Sequence, residues 1–149
     1  MDEQLETLIQ RERLELSSIR ARAAAFGIDE FLLSVLIVII LWDSILKAQT
    51  LEAMIAVTNN FLLEYMAIKI VYQTFFTMQY GASIGKIIMK IRVIEISTLS
   101  NPGLFCAFNR GVFRVISEML FYLGFVWAMI DPYRRGWHDR SAKTLVINA

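Results

Sequence analysis

Three long apolar stretches run through this sequence, and they limit the solvents in which the chain can fold. The first covers residues 23–42, and its central part, residues 31–42, contains no charged side chain. A helix of about 20 residues rises ~30 Å, which matches the hydrocarbon thickness of a bilayer. The chain is 56% hydrophobic and its mean hydropathy is +0.51, whereas soluble domains are roughly 45–50% apolar. The sequence therefore predicts an integral membrane protein.

The second and third stretches, residues 53–78 and 104–130, contain ionisable side chains that lipid cannot solvate. A charge at mid-membrane costs ~2.5–3.5 kcal/mol on insertion scales, while each large apolar residue returns only ~0.3–0.6 kcal/mol. The second segment is therefore marginal alone and needs partner helices. The third is longer than one crossing requires, so we expect an interfacial helix followed by a span from about Val115, or a kinked or re-entrant segment with a break around Gly124.

The predicted fold is an all-α membrane protein, a bundle of three transmembrane segments with a small strand pair outside the membrane. The strands are residues 91–96 and 144–147, which are rich in β-branched side chains. Residues 1–20 form an amphipathic pattern that predicts an extramembrane helix. Residues 21–149 form the transmembrane domain. The side of the C-terminus stays open, because three crossings would place the basic residues after the third segment outside, against the positive-inside rule.

Several functional classes are not supported by the residues present. The net charge of +1 argues against a nucleic-acid partner. With one cysteine and one histidine, Cys106 and His138, the chain offers no metal-site spacing. The glycines of Gly81-Ala-Ser-Ile-Gly85-Lys86 are too close together for a phosphate-binding P-loop, and Ile87 follows the lysine. We expect no cofactor, no metal and no catalytic residue, and hence no enzyme.

Three motifs occur in a fixed order along the apolar segments. Arg22 and Asp29 stand at the start of the first segment, the glycine–lysine motif ending in Lys86 follows the second, and Arg135-Gly-Trp-His-Asp139 precedes the last strand. In this order they resemble the RDD family of bacterial membrane proteins, which is named for one arginine and two aspartates. The resemblance covers about residues 20–147.

The resemblance assigns family roles to individual residues. Arg22 and Asp29 correspond to the arginine and the first aspartate, and Asp139 to the second aspartate, with Asp131 as the less favoured alternative. The family motif residues are Arg22, Asp29, Gly85, Lys86, Arg110 and Asp139. The resemblance also implies transport, with cation/proton exchange proposed for some members.

The charges themselves suggest where ions or protons are handled. The candidates are Asp29, Glu64, Arg114 and Glu118, because ionisable groups inside membrane segments often mark ion paths. A second interpretation stays open, in which buried pairs only fix helix register and the protein is a non-transporting scaffold or assembly subunit. In either case we expect a multi-pass protein of the cell membrane (the inner membrane where there are two). Its partners are the lipid bilayer and either further copies of itself or another membrane protein.

Overall fold

The computed structural model describes residues 2–149, and Met1, the first residue of the predicted N-terminal helix, lies outside the described residues. The described chain is mostly helical. In chain order its elements are α1 (Asp2–Arg11), α2 (Ile19–Ile40), α3 (Trp42–Lys47), α4 (Leu51–Asn60), α5 (Leu62–Tyr80), α6 (Ile84–Ile88), β1 (Ile91–Glu95), α7 (Leu104–Met119), α8 (Leu123–Ile130), α9 (Trp137–Ser141) and β2 (Thr144–Asn148).

The N-terminal helix is shorter than predicted. It ends at Arg11, and the chain turns through Arg13, whose φ is +50°, before Leu16 forms a bridge with Ile147. The prediction of one helix over residues 1–20 is wrong for residues 12–20. Ser18 explains the boundary, because its hydroxyl accepts a hydrogen bond from the backbone N–H of Ala21 at 3.1 Å and so begins α2 instead.

Helix α2 corresponds to the first apolar segment, starting slightly earlier than predicted. By length and composition it is the one described helix that is long and apolar enough to cross a membrane alone. Only 17% of its most apolar 18-residue stretch is buried within the chain. Its remaining surface, which includes Phe31 and Ile39, is exposed for lipid or another protein.

The second and third segments are each broken into two helices. Helices α4 and α5 meet at 49°, and α7 and α8 meet at 103°; if each bent pair is one span, the described chain has up to 3. The kink predicted in the third segment is confirmed, with the turn at Phe121 and Tyr122, whose φ values are +54° and +61°. Gly124 lies just beyond it, where a Cβ would meet Ser117 Oγ at 2.3 Å. Glycine at this position lets α8 fold back against α7.

The strand pair is confirmed. Strands β1 and β2 are antiparallel, with Val93 opposite Val146. Both faces are covered: Leu5 of α1 packs on the face that includes Leu145, and Ala25 of α2 packs on the other. Two strands alone are marginally stable, so the covering helices are what make this sheet possible. The sheet and α1 therefore lie together beside the start of α2.

A simple bundle of three segments is not confirmed. Helix α5 packs along α7, whereas α2 packs mainly on the short helix α6. Helix α2 reaches α5 through polar side chains, as in the ion pair between Glu30 and Lys69. The polar residues in the apolar segments thus determine how the helices meet.

Candidate functional site

Asp29 joins four helices. Its side chain, on α2, is fully buried. Its Oδ1 accepts hydrogen bonds from the Tyr72 hydroxyl of α5 at 2.8 Å and from the backbone N–H of Gly85 of α6 at 2.8 Å. Its Oδ2 accepts a hydrogen bond from Ser83 at 2.6 Å and lies 3.9 Å from Nη2 of Arg114 of α7. The carboxylate is therefore paired on both oxygens.

The backbone of α6 can approach Asp29 this closely because residue 85 is a glycine. A Cβ there would lie 2.1 Å from the carbonyl oxygen of Ala25 and 2.9 Å from Asp29 Oδ1. The first contact is with backbone, which cannot rotate away. Gly85 is thus a packing requirement for the carboxylate site.

Asp139 is the second fully buried carboxylate, and it lies on α9. Its Oδ2 pairs with Arg22 and accepts a hydrogen bond from the backbone N–H of Gly136 at 3.0 Å, while its Oδ1 pairs with Arg110. Burial opposes ionisation here, but the neighbouring Arg22, His138 and Arg110 hold the pKa of Asp139 well below its ordinary value. Asp139 therefore carries the charge that balances two arginines.

Arg22 and Asp29 belong to different clusters. Both lie on α2, but Arg22 binds Asp139 and donates to the carbonyl oxygen of Arg134, while Asp29 faces α5, α6 and α7. Asp131, the alternative second aspartate, pairs instead with Arg135 four residues later, at 3.1 Å. Asp139 and Asp131 thus have different arginine partners.

A third charged cluster lies further along α2. Lys69 Nζ pairs with Glu30 at 2.9 Å and also with Glu118, and Arg114 Nε lies 3.7 Å from Glu118 Oε1. Glu64, one of the predicted ion- or proton-handling residues, is exposed on α5 and makes no ion pair among the described residues. It lies well around the helix from Lys69, because the two are five residues apart at ~100° per residue. Glu30, which was not among the predicted candidates, is the carboxylate of α2 that pairs with Lys69.

A cavity of about 200 Å³ lies between these clusters, bounded mainly by α2, α6, α7 and α8. Its polar lining comprises Arg22, Asp29, Lys86, Arg114 and His138. Three aromatic side chains, Phe26, Tyr122 and Phe125, form part of its wall. The Phe26 ring also lies 4.9 Å from the Arg114 guanidinium carbon, a cation–π contact that holds this side chain in place.

Lys86 is the least paired charge in this region. It is 7% exposed, and in the described part of the chain its ammonium makes no hydrogen bond or ion pair. Burial, together with the charges of Arg110 and Arg114, holds the pKa of Lys86 well below its ordinary value, although Asp29 and Asp139 oppose this. A buried lysine of this kind exchanges a proton more readily than a surface lysine.

Some site residues were not predicted from the sequence. Tyr72, Ser83 and Glu30 each contact a charged site residue, and His138 is buried beside Asp139. Ser83 lies inside the glycine–lysine motif, so its position gave a signal. Among residues 2–149, no group of three or more His, Cys, Asp or Glu side chains is placed to hold a metal ion.

A known protein family matches most of this chain. The model of the RDD family matches residues 16–143, which include Arg22, Asp29 and Asp139. The chain belongs to the RDD family. Comparisons with curated proteins and with solved structures find no match. Family membership and the apolar helices together indicate a membrane protein.

Proposed function

We propose that this RDD protein binds a small charged ligand in the cavity beside Asp29, Lys86 and Arg114, and transports it or assists its transport across a membrane. The observation that carries the proposal is that buried ionisable groups line a cavity inside an apolar shell. Charges within membrane segments are costly, and they usually face a bundle interior or an ion path. A cavity at such a place is the natural position for a ligand.

The membrane arrangement that supports this role is multi-pass, in the cell membrane. Helix α2 crosses, and the bent pair α4–α5 returns the chain to the side of the sheet. The bent pair α7–α8 is then re-entrant, because Arg110, near the start of α7, pairs with Asp139, which follows the end of α8. This arrangement places the basic residues after the third segment on the same side as Arg20 and Arg22, in agreement with the positive-inside rule.

Self-association is part of the proposal. Two crossings and a re-entrant pair enclose little volume, so a continuous pathway needs a second copy or a membrane partner. The exposed apolar side chains of α2 and α4, such as Val35, Ile39 and Ile55, offer a surface for lipid or for such a contact.

Exchange of a cation at Asp29 is less well supported than binding of another ligand. Three hydrogen-bond donors and Arg114 already surround the Asp29 oxygens. A cation would have to displace these groups before it gained a carboxylate ligand. Asp29 acts in this proposal as a positioning residue for Arg114 and α6.

A non-transporting scaffold is the second candidate. It is favoured by the way that Asp29 and Asp139 each hold several elements together, because buried ion pairs can serve helix register alone. The two functions differ in whether the purified protein moves a solute.

The test is flux into proteoliposomes under a pH gradient, measured for sodium, potassium, chloride and sulfate. We expect the wild-type protein to transport at least one of these ions, and Arg114→Gln to reduce that flux at least roughly tenfold through loss of a charge-assisted contact. The control is Arg92→Gln, at an exposed arginine of β1, which leaves flux unchanged. Flux no greater than in empty liposomes for all four ions rejects transport and favours the scaffold.

A further inference from the structure

Taking the proposed function as its basis, we propose that the ligand of the cavity is a small oxyanion, bound by Lys86 and Arg114 together with one proton. The class comprises sulfate, phosphate and carboxylate groups, whether free in solution or part of a lipid headgroup. The inference depends on unpaired donors, on the charge balance of the site and on the saturation of Asp29.

The first observation is that two nitrogen donors of Arg114 have no hydrogen-bond acceptor in the described structure. Arg114 is 6% exposed, and its Nε and Nη2 make no hydrogen bond in the described structure. Its nearest carboxylate oxygens, on Glu118 and Asp29, lie at 3.7 and 3.9 Å, beyond hydrogen-bond distance. Buried guanidinium groups without acceptors are unfavourable, and a planar or tetrahedral oxyanion supplies acceptors in the geometry that arginine prefers.

The second observation is the charge balance. The buried and half-buried clusters contain the cations Arg22, Lys69, Lys86, Arg110 and Arg114 and the carboxylates Asp29, Glu30, Glu118 and Asp139. Every carboxylate is already paired with an arginine or with Lys69. The surplus cation is Lys86, so the cluster is neutral when Lys86 is neutral. When Lys86 is protonated, the cluster has a net charge of +1, which favours an anion over a cation in the cavity.

The third observation is that the cavity has the size and lining for such an ion. A volume of about 200 Å³ holds several water molecules or one small anion with water. His138 also contributes to the lining of the cavity. The aromatic wall lowers the local dielectric, which strengthens contacts between an anion and its donors. A cation finds no free carboxylate oxygen at Asp29.

Proton uptake follows from the groups that face Lys86. These are Arg22 and Asp29 from α2, Arg110 and Arg114 from α7, and His138 and Asp139 from α9. Burial and the two arginines of α7 lower the pKa of Lys86, which favours the neutral amine. A bound anion reverses the local field, so the amine takes one proton from solution and becomes an ammonium paired with the anion. The affinity for the anion therefore falls as pH rises.

The test is isothermal titration of sulfate into the full-length protein in mild detergent, because the charge of sulfate is constant between pH 6 and 9. Repeating the titration in buffers of different ionisation enthalpy counts the protons taken up. We expect one sulfate per chain, net proton uptake, and weaker binding at higher pH. Absence of sulfate binding, or binding without proton uptake throughout this pH range, overturns the proposal.

Variants locate the site. Lys86→Met keeps the shape of the side chain and removes its charge, so we expect sulfate to bind roughly ten- to hundredfold more weakly and without proton uptake. Lys90→Met is the matched control, because Lys90 is exposed four residues later. Equal sulfate affinity in Lys86→Met and wild type overturns the assignment.

Nanodiscs distinguish the two sources of the oxyanion. If the natural ligand is an anionic headgroup, phosphatidylglycerol competes with sulfate and weakens its binding relative to phosphatidylcholine. If the natural ligand is an oxyanion free in solution, sulfate binds with the same affinity in both lipids. The binding and transport experiments can fail independently. Sulfate binding without flux of any ion supports the anion site and rejects transport. Cation flux without sulfate binding supports transport and rejects only the anion site.

Discussion

At the scale of single residues, Asp29 and Asp139 are both fully buried carboxylates, but different partners stabilise them. Asp29 is stabilised mostly by neutral donors, namely Tyr72, Ser83 and a backbone N–H. Asp139 is stabilised mostly by two guanidinium groups. A buried carboxylate with neutral donors can be replaced by an amide at modest cost, whereas one between two arginines cannot.

We predict that Asp139→Asn lowers the free energy of unfolding by about 3–5 kcal/mol, because Arg22 and Arg110 are left as buried charges without a counter-ion. Denaturant unfolding in mild detergent measures this. The control is Asp43→Asn, at an exposed carboxylate of α3, which changes stability little.

The pH dependence of Asp139 has a definite sign. Because its folded pKa lies below the unfolded value of about 3.9, its contribution is complete above that value and is lost as pH falls through the folded pKa. Wild type should therefore lose stability faster in acid than Asp139→Asn does. Parallel acid unfolding curves for the two proteins would contradict this role.

At the scale of elements, the close approach of α6 to α2 builds the site. It sets Ser83, Gly85 and Lys86 against the first segment, and it follows directly from the absence of a side chain at residue 85. The sequence motif therefore acts as a packing contact and not as a phosphate loop.

Gly85→Ala should destabilise the protein by at least about 1–3 kcal/mol, because the added Cβ meets the Ala25 carbonyl oxygen and separates the helices. Thermal unfolding in detergent is the measurement. Gly27→Ala is the matched control within α2, since nothing lies within 4 Å of a Cβ there, and alanine should add about 0.5–1 kcal/mol. If both variants are equally stable, the close approach is not required.

The elements also show what sequence patterns can and cannot predict. Apolar length predicted α2, and β-branched residues predicted the pairing of β1 with β2, because both signals are local. The pairing of Lys69 with Glu30 was missed, since helical periodicity shows which face a charge occupies but not which distant helix lies opposite. The early end of α1 was missed because apolar periodicity continues through Leu16, a residue that pairs with Ile147 instead.

At the scale of the whole molecule, Asp139 joins parts of the chain that are far apart in sequence. Arg22, at the start of the first segment, pairs with Asp139, after the third. Arg110, near the start of the third segment, pairs with the same carboxylate. Both ends of the third segment thus lie at one end of the molecule, and the 103° bend between α7 and α8 makes this possible.

Cysteine labelling in sealed vesicles tests this most directly, in a Cys106→Ser background with single cysteines at Lys47, Thr98 and Asn148, all exposed. We predict that Thr98→Cys and Asn148→Cys react with an impermeant maleimide from the same side of the membrane, and Lys47→Cys from the opposite side. Labelling of Thr98→Cys and Asn148→Cys from opposite sides would contradict this arrangement, because β1 could not then pair with β2 and the third segment would cross the membrane instead of returning.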